Sequence, residues 1–233
     1  MAFLHQSFKD TLLDLVFPQQ CLVCGKEGKL FCAKCHAGLS YISPPVCSLC
    51  GHHVSNDGVC PMCLSGKIHL DGLRSVFNFE GGIAQAIYSL KYHNLRSVAP
   101  LLGTFMADYL KQNPMPADII VPVPLHPSRL KYRGYNQSLL LARELCRQTG
   151  IELADKWLER SLATASQART QNRIERLANV NNAFIFKYPT TTAPRVIIID
   201  DVATTGATLN ACAATLKEAG ALSVWGLTIA RER

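Results

Sequence analysis

The sequence predicts an α/β protein, a mostly parallel sheet flanked by helices, behind a small cysteine-rich N-terminal domain. Three observations predict it. From Leu73 onward, short apolar runs alternate with helix-length stretches, as in parallel strands joined by crossover helices. Residues 196–199 (VIII) contain no polar side chain, so they read as a strand buried on both faces rather than a half-buried one, which would alternate. Ahead of the sheet, four Cys-x-x-Cys pairs crowd into residues 21–63.

The bulk numbers agree with that division. A chain of 233 residues has room for one ordinary domain plus a small one, and 48% hydrophobic against 18% charged residues describes a globular protein with a substantial core. No apolar run reaches the length of a membrane span and no secretory leader is visible, so a cytoplasmic location without membrane insertion is expected. The N-terminal stretch FLHQSFKDTLLDLVF carries Lys9, Asp10 and Asp14 among apolar residues and reads as a short amphipathic helix closed by Phe17 and Pro18.

The cysteines come next. CLVCG at 21–25 is followed by CAKC at 32–35, and CSLCG at 47–51 by CPMC at 60–63. These are two copies of one unit, and each supplies the four thiolates of a tetrahedral structural zinc. In a reducing compartment, thiols at fixed spacing point to metal rather than disulfides. The repeat favours two sequential sites, Cys21/Cys24/Cys32/Cys35 and Cys47/Cys50/Cys60/Cys63; a cross-braced pairing of the first with the third pair also fits the spacing. Thioredoxin-like redox chemistry needs a βαβ setting that this Gly- and Pro-punctuated region lacks. With four sulfurs per site, His36, His52 and His53 read as bystanders. So few apolar residues lie between Pro18 and Leu64 that metal must fold the segment. Ser65, Gly66 and Lys67 read as a linker, which sets the domains at 1–66 and 67–233. The formal charge of +7 shrinks to about +3 once two zinc–tetrathiolate sites of about −2 each are counted, so charge alone does not argue for nucleic acid.

Beyond the linker, residues 73–79 read as a strand, Glu80-Gly81-Gly82 as a turn, and residues 83–92 as a helix ending in Lys91, Tyr92, His93, Asn94 and Arg96, a solvated polar cluster. A second helix spans 98 to about 110, stopped by Asn113, Pro114 and Pro116. Residues 119–123 form another buried strand, ended by Pro122 and Pro124. Arg129, Lys131 and Arg133 follow in a loop before Gly134, and a helix covers 138–147. Tyr132 and Tyr135 offer stacking surfaces for a base, or pack on the sheet. One strand is expected in 151–161, near Trp157. Residues 163–182, rich in Arg, Gln and Asn, read as a mobile cover in which Arg169, Arg173 and Arg176 reach anions. Residues 184–186 and 222–229 complete the strands, while Cys146 and Cys212 read as buried core thiols.

Chemistry concentrates in 196–208, VIIIDDVATTGAT. Asp200 and Asp201 stand where a parallel strand ends, which is where open α/β sheets bind ligands. Thr204, Thr205 and Thr208, bent by Gly206, lead into a helix over 209–216, a setting that points backbone N–H groups and hydroxyls at an anion. Carboxylates repel phosphate, so the site asks for a ligand with phosphate at one end and neutral hydroxyls beside it, as in a ribose 5-phosphate. No Gly-Lys-Ser/Thr follows the turn, which excludes a Walker-type loop.

Strand, acid pair, TTGxT loop and helix resemble the phosphoribosyl-pyrophosphate (PRPP) loop of type I phosphoribosyltransferases. The resemblance implies that fold and makes Asp200 and Asp201 the candidate catalytic pair, holding the ribose 2- and 3-hydroxyls. It also implies that Ala203, Thr204, Thr205, Gly206, Ala207 and Thr208 cradle the 5-phosphate, with Arg129, Lys131 and Arg133 meeting the pyrophosphate and its Mg²⁺. Together with the paired cysteine units, PVPLHPSRLKYRGYNQS and TASQ…R…NVNNAF, the chain resembles the ComF competence family, a double zinc ribbon joined to a type I phosphoribosyltransferase domain. On that resemblance Arg129, Arg133, Gly134, Asn136 and Gln137 belong to the block beside the pyrophosphate, Lys91 matches a helix-end lysine, and Thr164, Gln167, Arg176 and Asn179 match the mobile segment. Thr170 stands where that pattern has leucine. Two functions follow as expectations: phosphoribosyl transfer to an unknown acceptor in natural competence, or a non-catalytic single-stranded-DNA module that binds PRPP as an effector or not at all. Other competence proteins are expected partners, and the acceptor hood is expected in residues 70–112.

Overall fold

The computed structural model describes residues 19–56, 58–160, 183–187 and 193–232. The N-terminal helix and the polar cover read over 163–182 lie outside the described residues. In chain order the elements are α1 (Ala33–Ala37), α2 (Pro61–Ser65), β1 (Gly72–Asn78), α3 (Gly81–Tyr92), α4 (Val98–Gln112), β2 (Ile119–Pro122), α5 (Pro127–Arg133), α6 (Gln137–Thr149), β3 (Glu152–Leu153), β4 (Leu158–Arg160), β5 (Phe184–Phe186), β6 (Arg195–Ala203), α7 (Ala207–Glu218) and β7 (Ser223–Arg231).

A five-stranded sheet in the order β1-β7-β6-β2-β3 forms the centre, and every pair in it is parallel. The apolar run of β6 is its middle, with Val196 to Ile199 fully buried. Strand alternation divides these side chains between two cores. Ile197 and Ile199 join the cluster with α3, α4 and α6. Val196 and Ile198 join the cluster with α7 and the β4–β5 hairpin pair. Burying each such side chain contributes roughly 1.5–3 kcal/mol relative to exposure.

Two local expectations change. Arg129, Lys131 and Arg133 lie on a helix, α5, rather than in a loop. Pro127 sits at its start, the His126 side chain accepts the Ser128 N–H, and Gly134 closes it at φ +78° with its N–H on the Leu130 carbonyl. A proline at the first helical position removes only a donor that has no partner there, so what reads as a breaker is a start signal. The single strand expected in 151–161 is two: β3 adds to the sheet edge at Ile119↔Glu152, and β4 pairs antiparallel with β5.

The cysteine-rich segment is built into the sheet. Phe31 and Leu39 belong to the larger core, and Phe31 lies 6.4 Å from Phe105 between ring centroids. Ile42 N–H donates to the Val76 carbonyl, Asn78 N–H to Ser40 and Leu73 N–H to Leu49, so the outer edge of β1 is covered. Residues 67–69 are likewise held: Asn210 of α7 accepts the His69 N–H and donates to the Lys67 carbonyl. Contacts therefore cross the expected boundary at 66/67, and Ser65 ends α2 rather than opening a linker.

Gly72 pairs with Trp225 across β1 and β7, and a Cβ there would stand 2.3 Å from the indole. Gly72→Ala is expected to cost about 1–3 kcal/mol through overpacking, which lowers Tm by several degrees in thermal unfolding. An unchanged Tm would mean that the indole swings aside freely.

Candidate functional site

The site begins where two neighbouring ladders end at different points. The last β2–β6 pair is Pro122↔Ile199, whereas the β6–β7 ladder runs on to Ala203↔Arg231. Asp200 and Asp201 thus sit inside β6, three and two residues before its end, on the stretch where β2 no longer flanks it. The strand outlasts the acid pair because β7 still pairs with it.

Each carboxylate has its own partner. Ser138 Oγ, at the start of α6, donates to Asp200 Oδ1 at 2.8 Å, and the Asp201 N–H donates to the same oxygen at 2.9 Å. Asp201 is 3% exposed, and Lys91 Nζ from the last turn of α3 stands 2.9 Å from its Oδ2. That contact is an ion pair without hydrogen-bond geometry, so Oδ2 keeps an unused lone pair. Lys91 is therefore not part of a solvated helix-end cluster. Burial first, and the Asp201 charge second, push the Asp200 carboxyl up to about 7. Asp200 therefore keeps a proton near neutrality far more readily than a free carboxyl does, which favours neutral hydroxyls as its ligand.

A cleft of about 310 Å³ opens over the pair. Arg129 and Arg133 from α5, Arg160 from the end of β4, and Thr204 and Thr208 line it as well. Arg133 donates to Gln137 and lies 5.7 Å from the Tyr92 ring centroid. Among the described residues the buried Nε atoms of Arg133 and Arg160 have no hydrogen-bond partner, and a buried donor of this kind favours an anion as ligand. Burial, then the nearby Arg129 charge, lowers the Arg160 pKa, so this guanidinium gains from a negative neighbour. Arg160→Gln is expected to weaken inorganic pyrophosphate binding by about tenfold to a hundredfold, the worth of one charged hydrogen bond, in calorimetry. Unchanged affinity would remove Arg160 from the anion wall.

The remaining candidates fall as follows. Lys131 is exposed and does not line the cleft. Ala203 is buried and its carbonyl accepts the Glu232 N–H. Thr204, Thr205 and Gly206 form a bend, Gly206 at φ +77° caps α7, and the Ala207 N–H donates to Thr205 Oγ1. Tyr135 is buried with its hydroxyl donating to the Leu90 carbonyl, whereas Tyr132 is 86% exposed. Cys212 is fully buried and Cys146 only half so. Exposed Tyr88 and Tyr92, one turn apart on α3, continue a row from Phe79 with centroids 6.0 and 5.8 Å apart, beside the cleft. Sequence reading missed Ser138, Arg160 and this row; the spacing of Tyr88 and Tyr92 was its one available signal.

The cysteines gather into two groups, Cys21/Cys24/Cys32/Cys35 and Cys47/Cys50/Cys60/Cys63, with all Sγ atoms in a group within 4.8 Å of one another. The grouping is the sequential one. Cys24 and Cys32, and Cys50 and Cys60, have Sγ atoms 3.7 Å apart. A tetrahedron with Zn–S bonds of about 2.3 Å has an edge of about 3.8 Å, so the donors fit zinc. The N–H groups of Cys50 and Cys60 point at Cys47 Sγ, as a thiolate requires. His53 Nδ1 instead meets the Pro45 carbonyl at 2.7 Å. No helix among the described residues is long and apolar enough to cross a membrane.

Comparison with known proteins agrees with this architecture. The double zinc ribbon domain family matches residues 12–64. Competence protein F of Haemophilus influenzae is 30% identical, over 84% of this chain and 89% of its own. Competence protein ComFC of Bacillus subtilis is 30% identical, over 88% of this chain and 86% of its own. DNA utilization protein YhgH of Salmonella typhi is 32% identical, over 77% and 80%. Among solved structures, a purine phosphoribosyltransferase from Pyrococcus horikoshii is similar with a TM-score of 0.34 at 19% identity, covering 56% of this chain and 70% of that one. Similarity at 30% or more along most of both chains, with the ribbon cysteines and the parallel sheet in place, makes this protein a member of the ComF family of competence proteins.

Proposed function

We propose that the cleft binds PRPP and transfers its phosphoribosyl group to an acceptor, releasing pyrophosphate, in the handling of DNA during competence. One observation carries this reading: a single cleft gathers an acid pair, a helix N-terminus with threonines, and three arginines. Few ligands other than a phosphorylated sugar with a second anionic group answer all three.

In this reading Asp200 and Asp201 hold the ribose 2- and 3-hydroxyls, and residues 203–208 cradle the 5-phosphate. Arg129, Arg133 and Arg160 meet the pyrophosphate, Arg160 taking the place first given to Lys131. Mg²⁺ brought with PRPP would neutralise part of the leaving charge. The sugar passes through an oxocarbenium-like state, so positioning and electrostatics supply most of the rate and little acid–base chemistry is needed. Tyr88 and Tyr92, within the stretch expected to form the hood, favour a planar nitrogen heterocycle as acceptor.

The exposed Tyr132, with Tyr88 and Tyr92 beside the arginines of α5, favours a second reading: a single-stranded-DNA module that takes PRPP as effector. Buried Tyr135 leaves that track. Names of relatives that refer to competence and DNA utilization support either role.

The deciding experiment is pyrophosphate release from PRPP with purines, pyrimidines, amines and single-stranded DNA as acceptors. Release with one class supports the enzyme. PRPP binding without turnover, alongside strand affinity that falls steeply with salt and with Tyr132→Ala, supports the module. Absence of PRPP binding in calorimetry removes both.

A further inference from the structure

A second hollow, of about 810 Å³, lies between the segment around the second cysteine cluster and the loop ahead of α7. That size falls in the roughly 300–1,000 Å³ range of small-molecule pockets. Thr204 and Glu232 line both this hollow and the cleft, and Thr205 lines the hollow alone. Val54, Val59 and Ile68 give it an apolar wall. Its floor holds Arg231, the last residue of β7, only 6% exposed. Arg231 Nη1 donates to the Cys50 carbonyl at 2.7 Å, but its Nε is buried with no partner. Among the described residues it forms no ion pair. A buried cation with a spare donor beside an apolar wall suits an anion that carries a flat apolar body.

We propose that this hollow receives a nucleoside joined through a diphosphate to the 5-position of the ribose in the cleft, so that cleft and hollow together take a ligand of the ADP-ribose class. The inference rests on the PRPP reading, because it needs a ribose 5-phosphate at residues 203–208. The phosphate loop stands at the junction, so a chain of two phosphates crosses it and meets Arg231 on the far side. Arg129, Arg133, Arg160 and Tyr88 do not line the hollow. It therefore lies at the 5-phosphate end of the sugar and takes an extension of the donor, not an acceptor that must reach C1.

The test is calorimetry on the full zinc-loaded chain with ribose 5-phosphate and with ADP-ribose. ADP-ribose is expected to bind about tenfold or more tightly than ribose 5-phosphate. Val54→Trp, which fills the apolar wall, and Arg231→Gln are each expected to erase that advantage and leave ribose 5-phosphate affinity unchanged. Equal affinities in the wild type, or an advantage that survives Val54→Trp, would overturn the proposal. So would an Arg231→Gln variant that loses zinc yet keeps its ligand preference, since Arg231 would then serve only to balance thiolate charge. If neither compound binds, the PRPP reading falls and this one with it; if ribose 5-phosphate binds alone, only this one falls.

Discussion

Stripping zinc with a strong chelator is expected to unfold the sheet along with the ribbons, not the ribbons alone. Structural zinc in small ribbons supplies apparent folding free energy of about 10–16 kcal/mol, comparable with the roughly 5–15 kcal/mol net stability of a whole domain. Here that energy reaches the sheet through named contacts. Phe31 and Leu39 fill the core beneath β1, the carbonyl of Leu49 accepts from Leu73, and Arg231 of β7 donates to Cys50. Gly51 lies so close that a Cβ would stand 2.4 Å from the Leu73 carbonyl. Hydrogen exchange with and without chelator reads the outcome: amides of Gly72–Asn78 should lose protection together with those of residues 19–66. Were the ribbon amides to exchange while β1 stayed protected, the N-terminal segment would be a separable unit.

Asp201→Asn should abolish detectable ribose 5-phosphate and PRPP binding, a loss of about a hundredfold or more, while zinc content and fold persist. The substitution keeps the side chain's size but turns one of two acceptor oxygens into a donor that cannot accept from a sugar hydroxyl, and it removes the charge that pairs with Lys91. Unchanged affinity would take the acid pair out of the site. The companion variant, Asp200→Asn, reads stability. Asp200 titrates at about 7 in the fold against an ordinary value of 3.8, so folding disfavours its charged form. Its contribution is most favourable below pH 4, declines as pH rises from about 4 to about 7, and is level above. The decline is on the order of a few kcal/mol. Asp200→Asn should flatten it and raise Tm at pH 8. A wild-type Tm that climbs from pH 5 to pH 8, with Asp200→Asn unchanged, would contradict the assignment.

What was legible in the sequence was what sits close together along it. The run of four β-branched residues, the acid pair and the threonine turn span thirteen positions with the helix directly after, and each cysteine unit spans fewer than twenty. What was not legible depends on distant chain. Ser138 meets Asp200 across 62 positions, and Lys91 meets Asp201 only because α3 packs over the end of β6. Arg160 carries no local mark at all; burial beside the acids gives it meaning. Tyr132 and Tyr135 are near neighbours, yet one is exposed and the other buried because the Leu90 carbonyl waits above it. The helix of α5 was hidden by proline and glycine that cap it rather than break it.

The position of β7 between β1 and β6 has a topological consequence. Gly72 lies some 150 residues from its partner Trp225, and the strand that fills the gap follows the other described strands in the sequence. Truncation ahead of Ser223 would remove the keystone instead of a margin, leaving β1 with the ribbons on one side and β6, β2 and β3 on the other. Native pairing of β1 with the rest of the sheet therefore requires β7, so until that strand is available the two halves can form only separately.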